Sequence, residues 1–145
     1  MISNILVWES ILKLSKPIII SGQAGPVSIK SSPDGDEKNR YALEWVAQSI
    51  TPISAFKLQY RRISENYIQS SSNDVNDSHV DWIEVSVAPL NNGDHFYSGR
   101  FIIENLDPAS HYLARISSNN AYGFGPYSPP FRFATKGAGL NFNYS

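Results

Sequence analysis

The feature that most constrains this chain is the alternation at residues 56–61. Phe56, Leu58 and Tyr60 take every second position, with Lys57, Gln59 and Arg61 between them. Side chains of an extended strand point to opposite faces in turn, so this spacing gives one apolar and one polar face. A helix would scatter the same residues around its circumference. The pattern recurs. Tyr41, Leu43 and Trp45 alternate with Ala42 and Glu44, and Tyr112, Ala114, Ile116 and Ser118 alternate with Leu113, Arg115 and Ser117. Shorter pieces are Val27-x-Ile29-x-Ser31, Trp82 to Val87, Phe101 with Ile103, and Phe131 with Phe133. Turn signals separate them. In Ser32-Pro33-Asp34-Gly35-Asp36, proline fixes φ and Asp-Gly tolerates positive φ; Leu90 to Asp94 reads as a turn around Asn92-Gly93. About seven short strands with no convincing helix among them predict an all-β, seven-stranded antiparallel sandwich.

Two packed sheets need large side chains between them. Of 145 residues 41% are apolar and 12% aromatic, enough to bury a core. Ser64 to Val80 breaks the pattern: it is rich in Ser, Asn and Asp and is expected to be a long mobile loop. Twelve basic against thirteen acidic residues, with no basic block, argue against a nucleic-acid partner. No apolar run approaches the ~20 residues that span a bilayer, so no membrane insertion by this chain is expected. Ile5-Leu6-Val7-Trp8 has no Lys or Arg before it and is followed by Glu9, a poor secretory signal. The expected organisation is an N-terminal segment over 1–23, the sandwich over 24–136 and a C-terminal tail over 137–145.

Reactive constellations are missing from the sequence. There is no cysteine, which excludes a disulfide framework and thiolate chemistry. His79, His95 and His111 have no metal-ligand spacing. His79 lies near Asp77 and Asp81, but in a polar loop these read as solvated side chains. Asp34-Gly35-Asp36-Glu37 lacks the order of a calcium loop and reads as a turn. There is no glycine-rich phosphate loop or nucleophile elbow. The expectation is a chain that is not an enzyme and takes no cofactor. Asn76-Asp77-Ser78 and Asn143-Tyr144-Ser145 are glycosylation sequons. Asn76, in the polar loop, is the candidate for N-glycosylation, and Asn143, near the chain end, the poorer one.

The second half of the chain carries a resemblance. An Ile, then Leu106-x-Pro108-x-x-x-Tyr112, an alternating strand, Asn120-x-x-Gly123-x-Gly125-x-x-Ser128 and a closing Phe133-x-Thr135 follow in order. With Trp45 on the second strand and Phe56-x-Leu58-x-Tyr60-Arg61 on the third, this resembles the fibronectin type III signature over roughly residues 26–135. The resemblance implies a core of Trp45, Phe56, Leu58, Tyr60, Leu106, Tyr112, Ile116 and Phe133. It makes Tyr112 a corner tyrosine whose hydroxyl bonds an upstream backbone group. Gly123 and Gly125 are expected at positive φ in the loop between the last two strands. Ala114 and Ser118 are small for inward sites, and Phe101 and Phe133 are expected to fill the space. The loop has no Arg-Gly-Asp, and Tyr127-Ser128-Pro129-Pro130 does not match the Trp-Ser-x-Trp-Ser of cytokine receptors.

Pro17 to Pro26 resembles the last strand and linker of an immunoglobulin domain running into a type III domain. The two resemblances together imply a non-catalytic interaction or spacer module of a cell-surface adhesion or recognition protein, extracellular, with immunoglobulin or type III neighbours and a protein partner. The alternatives are a module of an intracellular muscle-type scaffold and an accessory domain of a secreted enzyme. Tyr122, Phe124 and Tyr127 crowd one loop and are the candidate protein contacts. Tyr122 and Tyr127 are expected to pack back on the rim, leaving Phe124 exposed beside the loop carrying Ser49-Ile50-Thr51-Pro52.

Overall fold

The structure, a computed structural model, describes residues 22–64 and 81–139. Nine strands run in chain order among them: β1 (Val27–Ile29), β2 (Tyr41–Gln48), β3 (Ala55–Ile63), β4 (Ile83–Val87), β5 (Leu90–Gly93), β6 (Phe96–Ile103), β7 (His111–Asn120), β8 (Gly123–Phe124) and β9 (Phe131–Ala134). They form two antiparallel sheets. One has the order β1-β2-β6-β5; the other runs β4-β3-β7, with β8 and β9 both on the far side of β7. No helix occurs among the described residues.

The alternation in the sequence becomes burial. Along β2, Tyr41, Leu43, Trp45 and Ala47 face inward while Ala42, Glu44 and Gln48 are exposed. Along β7 both faces are largely covered, and the inward set is Tyr112, Ala114 and Ile116. Phe56, Leu58, Ile103, Ile116 and Phe133 are fully buried between the sheets. Trp45 meets Phe56 edge-on, with centroids 5.5 Å apart and planes at 87°. Phe133 lies between two tyrosines, 4.1 Å from Tyr41 and 5.4 Å from Tyr112. Across β9 the register sets Phe133 opposite Tyr112 and Phe131, not Phe133, opposite the small Ala114, and Phe101 packs on the core while half-buried. Such offset contacts add about 0.5–1.5 kcal/mol per pair beyond the area they bury. Burial pushes the Tyr41 hydroxyl up to about 12, and it donates to the Ser32 carbonyl.

Three expectations need correction. Tyr60 is half-buried and packs against the core rather than inside it, because its β4 neighbour Ile83 lies on the last strand of the sheet among the described residues and is itself 53% exposed. Leu90 to Gly93 is a strand paired with β6; the turn comes one step later, with positive φ at Gly93, Asp94 and His95. Gly123 has the expected positive φ of 102°, but Gly125 does not. Gly125 instead lies close to the incoming chain: a Cβ there would stand 3.3 Å from the Ala24 carbonyl oxygen, a tight contact. Asn76, Asn143, Pro17 to Ser21 and nearly all of the Ser64–Val80 loop lie outside the described residues.

Candidate interaction surfaces

The β7–β8 hairpin tip is built by one asparagine. The Asn120 side chain accepts a hydrogen bond from the Tyr122 N–H at 2.9 Å, closing the turn, and donates to the Gly22 carbonyl at 2.7 Å. Gly22 has φ of +96°, and a Cβ on it would sit 2.7–2.9 Å from the Tyr122 ring. The ring therefore lies flat on the backbone of the incoming chain. Further along, the Gly25 N–H donates to the Gln48 carbonyl at 3.1 Å, and Ala24 is 2% exposed within the core. The linker part of the Pro17–Pro26 stretch is thus docked from Gly22 to Gly25 on β2 and the hairpin.

A second surface lies on the outer face of the β4-β3-β7 sheet. Pairing places Gln59 beside both Arg115 and Glu84. The Arg115 guanidinium sits between two rings, 4.2 Å from Trp82 and 4.4 Å from Tyr127. Arg61 covers Trp82 as well, at 5.0 Å. Arg115 Nε donates to Gln59 Oε1 at 2.8 Å, and Gln59 Nε2 donates to Glu84 Oε1 at 2.9 Å. Lys57 Nζ lies 3.9 Å from Glu84 and 3.9 Å from the centre of the Phe124 ring. Cation–π contacts of this kind are worth about 0.5–1 kcal/mol when exposed and more when desolvated. Burial, followed by the Glu84 charge, raises the Tyr127 hydroxyl pKa, and Arg115 opposes the shift.

The three expected contact aromatics are therefore split. Tyr122 lies against Gly22, yet is 66% exposed; Phe124 is 45% exposed and tied to Lys57; Tyr127 packs on the outer sheet face against Arg115 rather than on the rim. Tyr122, not Phe124, is the most exposed of the three. Ile50, in the neighbouring loop, is more exposed still at 86%. Trp82, just before β4, is not among the expected contacts, and its packing with Arg61 and Arg115 depends on residues distant in the chain. No group of three or more His, Asp or Glu gathers as a metal site among the described residues. No helix among them is long and apolar enough to cross a membrane.

The chain crosses from one sheet to the other between β6 and β7. There the Tyr112 hydroxyl accepts the Asp107 N–H at 2.8 Å, as expected of a corner tyrosine. Thr135 completes the corner by donating to the Asp107 carbonyl at 2.7 Å and accepting the Ser110 N–H at 3.0 Å. Strand order and corner together decide the matter. The fold is that of a fibronectin type III module.

Solved structures of such modules are similar in fold. The sixth fibronectin type III domain of human fibronectin type III domain containing protein 3 is 15% identical, over 83% of this chain and 90% of that one, with a TM-score of 0.47. The third fibronectin III domain of human KIAA0343 protein is 16% identical, over 87% and 96%, also at 0.47. The chicken CNTN1 FN1–FN3 fragment is 18% identical at a TM-score of 0.45, over 77% of this chain and 31% of that one. No family model and no curated protein matches the sequence.

Proposed function

We propose that this type III module is a non-catalytic spacer and protein-interaction unit of a larger cell-surface adhesion or recognition protein. The observation that carries the reading is the docked segment Gly22 to Gly25, held by Asn120, Tyr122 and Gln48. A module that only needed tethering would leave its incoming segment free. Here the segment is held against the sandwich from Gly22 to Gly25, which is what a spacer requires in order to hold a neighbour at a set angle. The immunoglobulin-like Pro17–Gly22 run supplies that neighbour in this reading. The extracellular setting rests on the same resemblance and on the Asn76 sequon.

Backbone relaxation measurements test the mechanical part. In the wild-type chain the Gln23, Ala24 and Gly25 amides are expected to be as ordered as the strands, with order parameters near ~0.85. Asn120→Ala combined with Tyr122→Ala is expected to lower the Gln23 value below ~0.6 while the β2 and β3 amides stay unchanged. Disorder of Gln23–Gly25 in the wild type would sink the spacer reading. The compartment is tested separately: secretion from a eukaryotic cell should give a glycan mass that Asn76→Gln removes, and an unmodified Asn76 would count against the extracellular setting.

A further inference from the structure

A β-sandwich has open sheet edges, and an edge strand offers unpaired backbone groups to any other extended chain. Natural sequences guard such edges with short strands, prolines, lysines or bulges. Three of the edges here are guarded. β1 has three residues, with Pro26 directly before it and Lys30 directly after. β5 has a register shift between Asn91 and Gly93. The β8–β9 edge is interrupted by Pro126, Pro129 and Pro130.

β4 is different. It is five residues long, Ile83-Glu84-Val85-Ser86-Val87, pairs with β3 in unbroken register, and contains no proline, lysine or glycine. Among the described residues no strand lies on its other side. Its one charge, Glu84, lies on the outer face and leans toward β3, to Gln59 at 2.9 Å and Lys57 at 3.9 Å, rather than over the free side of the strand. Ile83, 53% exposed, extends the apolar face to the rim.

We propose that β4 is a dimerisation edge, and that its occupant is β4 of a second copy of this chain, antiparallel, about a two-fold axis through Val85. The register follows from two constraints. Paired residues must lie on the same face of the joined sheet, so inward residues can oppose only inward ones. An axis through Glu84 meets that condition but sets Glu84 against its own copy, and like charges directly opposed are destabilising. An axis through Ser86 sets Ile83 against Pro89, which cannot donate to a ladder. The axis through Val85 sets Ile83 against Val87 and Glu84 against Ser86, with no like charges opposed and β-branched pairs on the inner face. The strand is complementary to itself in this register. A single strand pair buries little surface, so the dimer is weak and reversible.

Sedimentation velocity on the full chain, from about 1 µM to about 1 mM at low salt, tests the proposal in the range where small interfaces associate. The expected result is a reversible monomer–dimer equilibrium. Ser86 is exposed on the outer face, so it can be changed without touching the core. Ser86→Glu sets a second carboxylate opposite each Glu84 and is expected to weaken the dimer roughly 2- to 30-fold, because two cross-strand pairs are affected. Ser86→Lys sets a cation opposite each Glu84 and is expected to tighten it by a similar factor. A wild-type chain that stays monomeric throughout overturns the proposal. So does a dimer that responds to both substitutions in the same direction, or to neither. A monomer whose Ile83–Val87 amides are all protected from exchange means that the chain's own residues cover the edge, and also overturns it.

Discussion

Gly99 is the least replaceable glycine in the core, and the sign of a single substitution tests why. It sits on β6 opposite Trp45 of β2, and both positions face inward. A Cβ at Gly99 would stand 2.5 Å from the indole Nε1 and nearer still to Cε2 and Cζ2. The indole has no room to retreat: Trp45 is 1% exposed, and Phe56, fully buried, is edge-on to it. Two effects compete in Gly99→Ala. Loss of glycine's freedom in the unfolded chain stabilises by about 0.5–1 kcal/mol where the native backbone suits alanine, and φ at Gly99 is not in the left-handed region. Overpacking costs about 1–3 kcal/mol. The second wins if the indole is fixed, leaving a net loss of about 1–2 kcal/mol and a fall in Tm of roughly 4–10 °C. The assay is thermal and urea unfolding followed by circular dichroism, repeated in a Trp45→Phe background. There the smaller ring leaves space, and it also removes an indole N–H that has no hydrogen-bond partner among the described residues. Gly99→Ala should then be neutral or stabilising, a coupling of about 1–2 kcal/mol between neighbours. A rise in Tm on the wild-type background, or the same shift in both, would refute the packing argument.

Other consequences are simpler. Tyr112→Phe removes the acceptor of the Asp107 N–H and is expected to cost about 1–3 kcal/mol in urea unfolding, nearer the lower end because Asp107 is exposed to water. Stability is expected to be pH-dependent through His111, whose pKa is lowered by burial and then by Arg132, with the Ala138 backbone opposing. A base with a depressed folded-state pKa is fully stabilising above its ordinary value near 6.5 and loses that contribution as pH falls toward the folded value; Tm measured from pH 8 to pH 5 should show a decline below about 6.5 that His111→Gln reduces.

Much of the sandwich was legible because period-two alternation and burial are two views of one geometry. Tyr41, Leu43 and Trp45 are spaced by two in the chain and buried together in the sheet. The Leu106-x-Pro108-x-x-x-Tyr112 spacing likewise places a hydroxyl where the crossing chain needs an acceptor. What stayed hidden depends on contacts between distant residues. Gly99 breaks no local rule, and only the register with Trp45 shows why it must lack a side chain. Asn92-Gly93 is a sound turn signal, yet here it ends β5, and the reversal falls on Asp94 and His95 in the left-handed region. Asp has some tolerance for that region but is a weaker turn signal than the Asn-Gly pair beside it.

The loop aromatics show the same limit in a form that bears on function. Tyr122, Phe124 and Tyr127 are neighbours in sequence, and a cluster of rings on a loop invites the reading of one contact patch. β8 is a strand, however, so Phe124 turns to the outer sheet face, where Asn119 pairs with it and Lys57 covers it. Tyr127 continues along that face to Arg115. Tyr122, in the turn itself, is left at the pole and meets Gly22, about a hundred residues away in the chain. One ring therefore serves the incoming segment, while the other two belong to a charged and aromatic sheet face that ends at β4. A partner bound on that face would touch Phe124 and the Arg115 stack without disturbing the linker, and a change in linker angle would leave the face intact. In the proposed function, holding a neighbour would rest on Tyr122 and Asn120 and any partner contact on the outer face with Phe124, so the two can be separated by mutation.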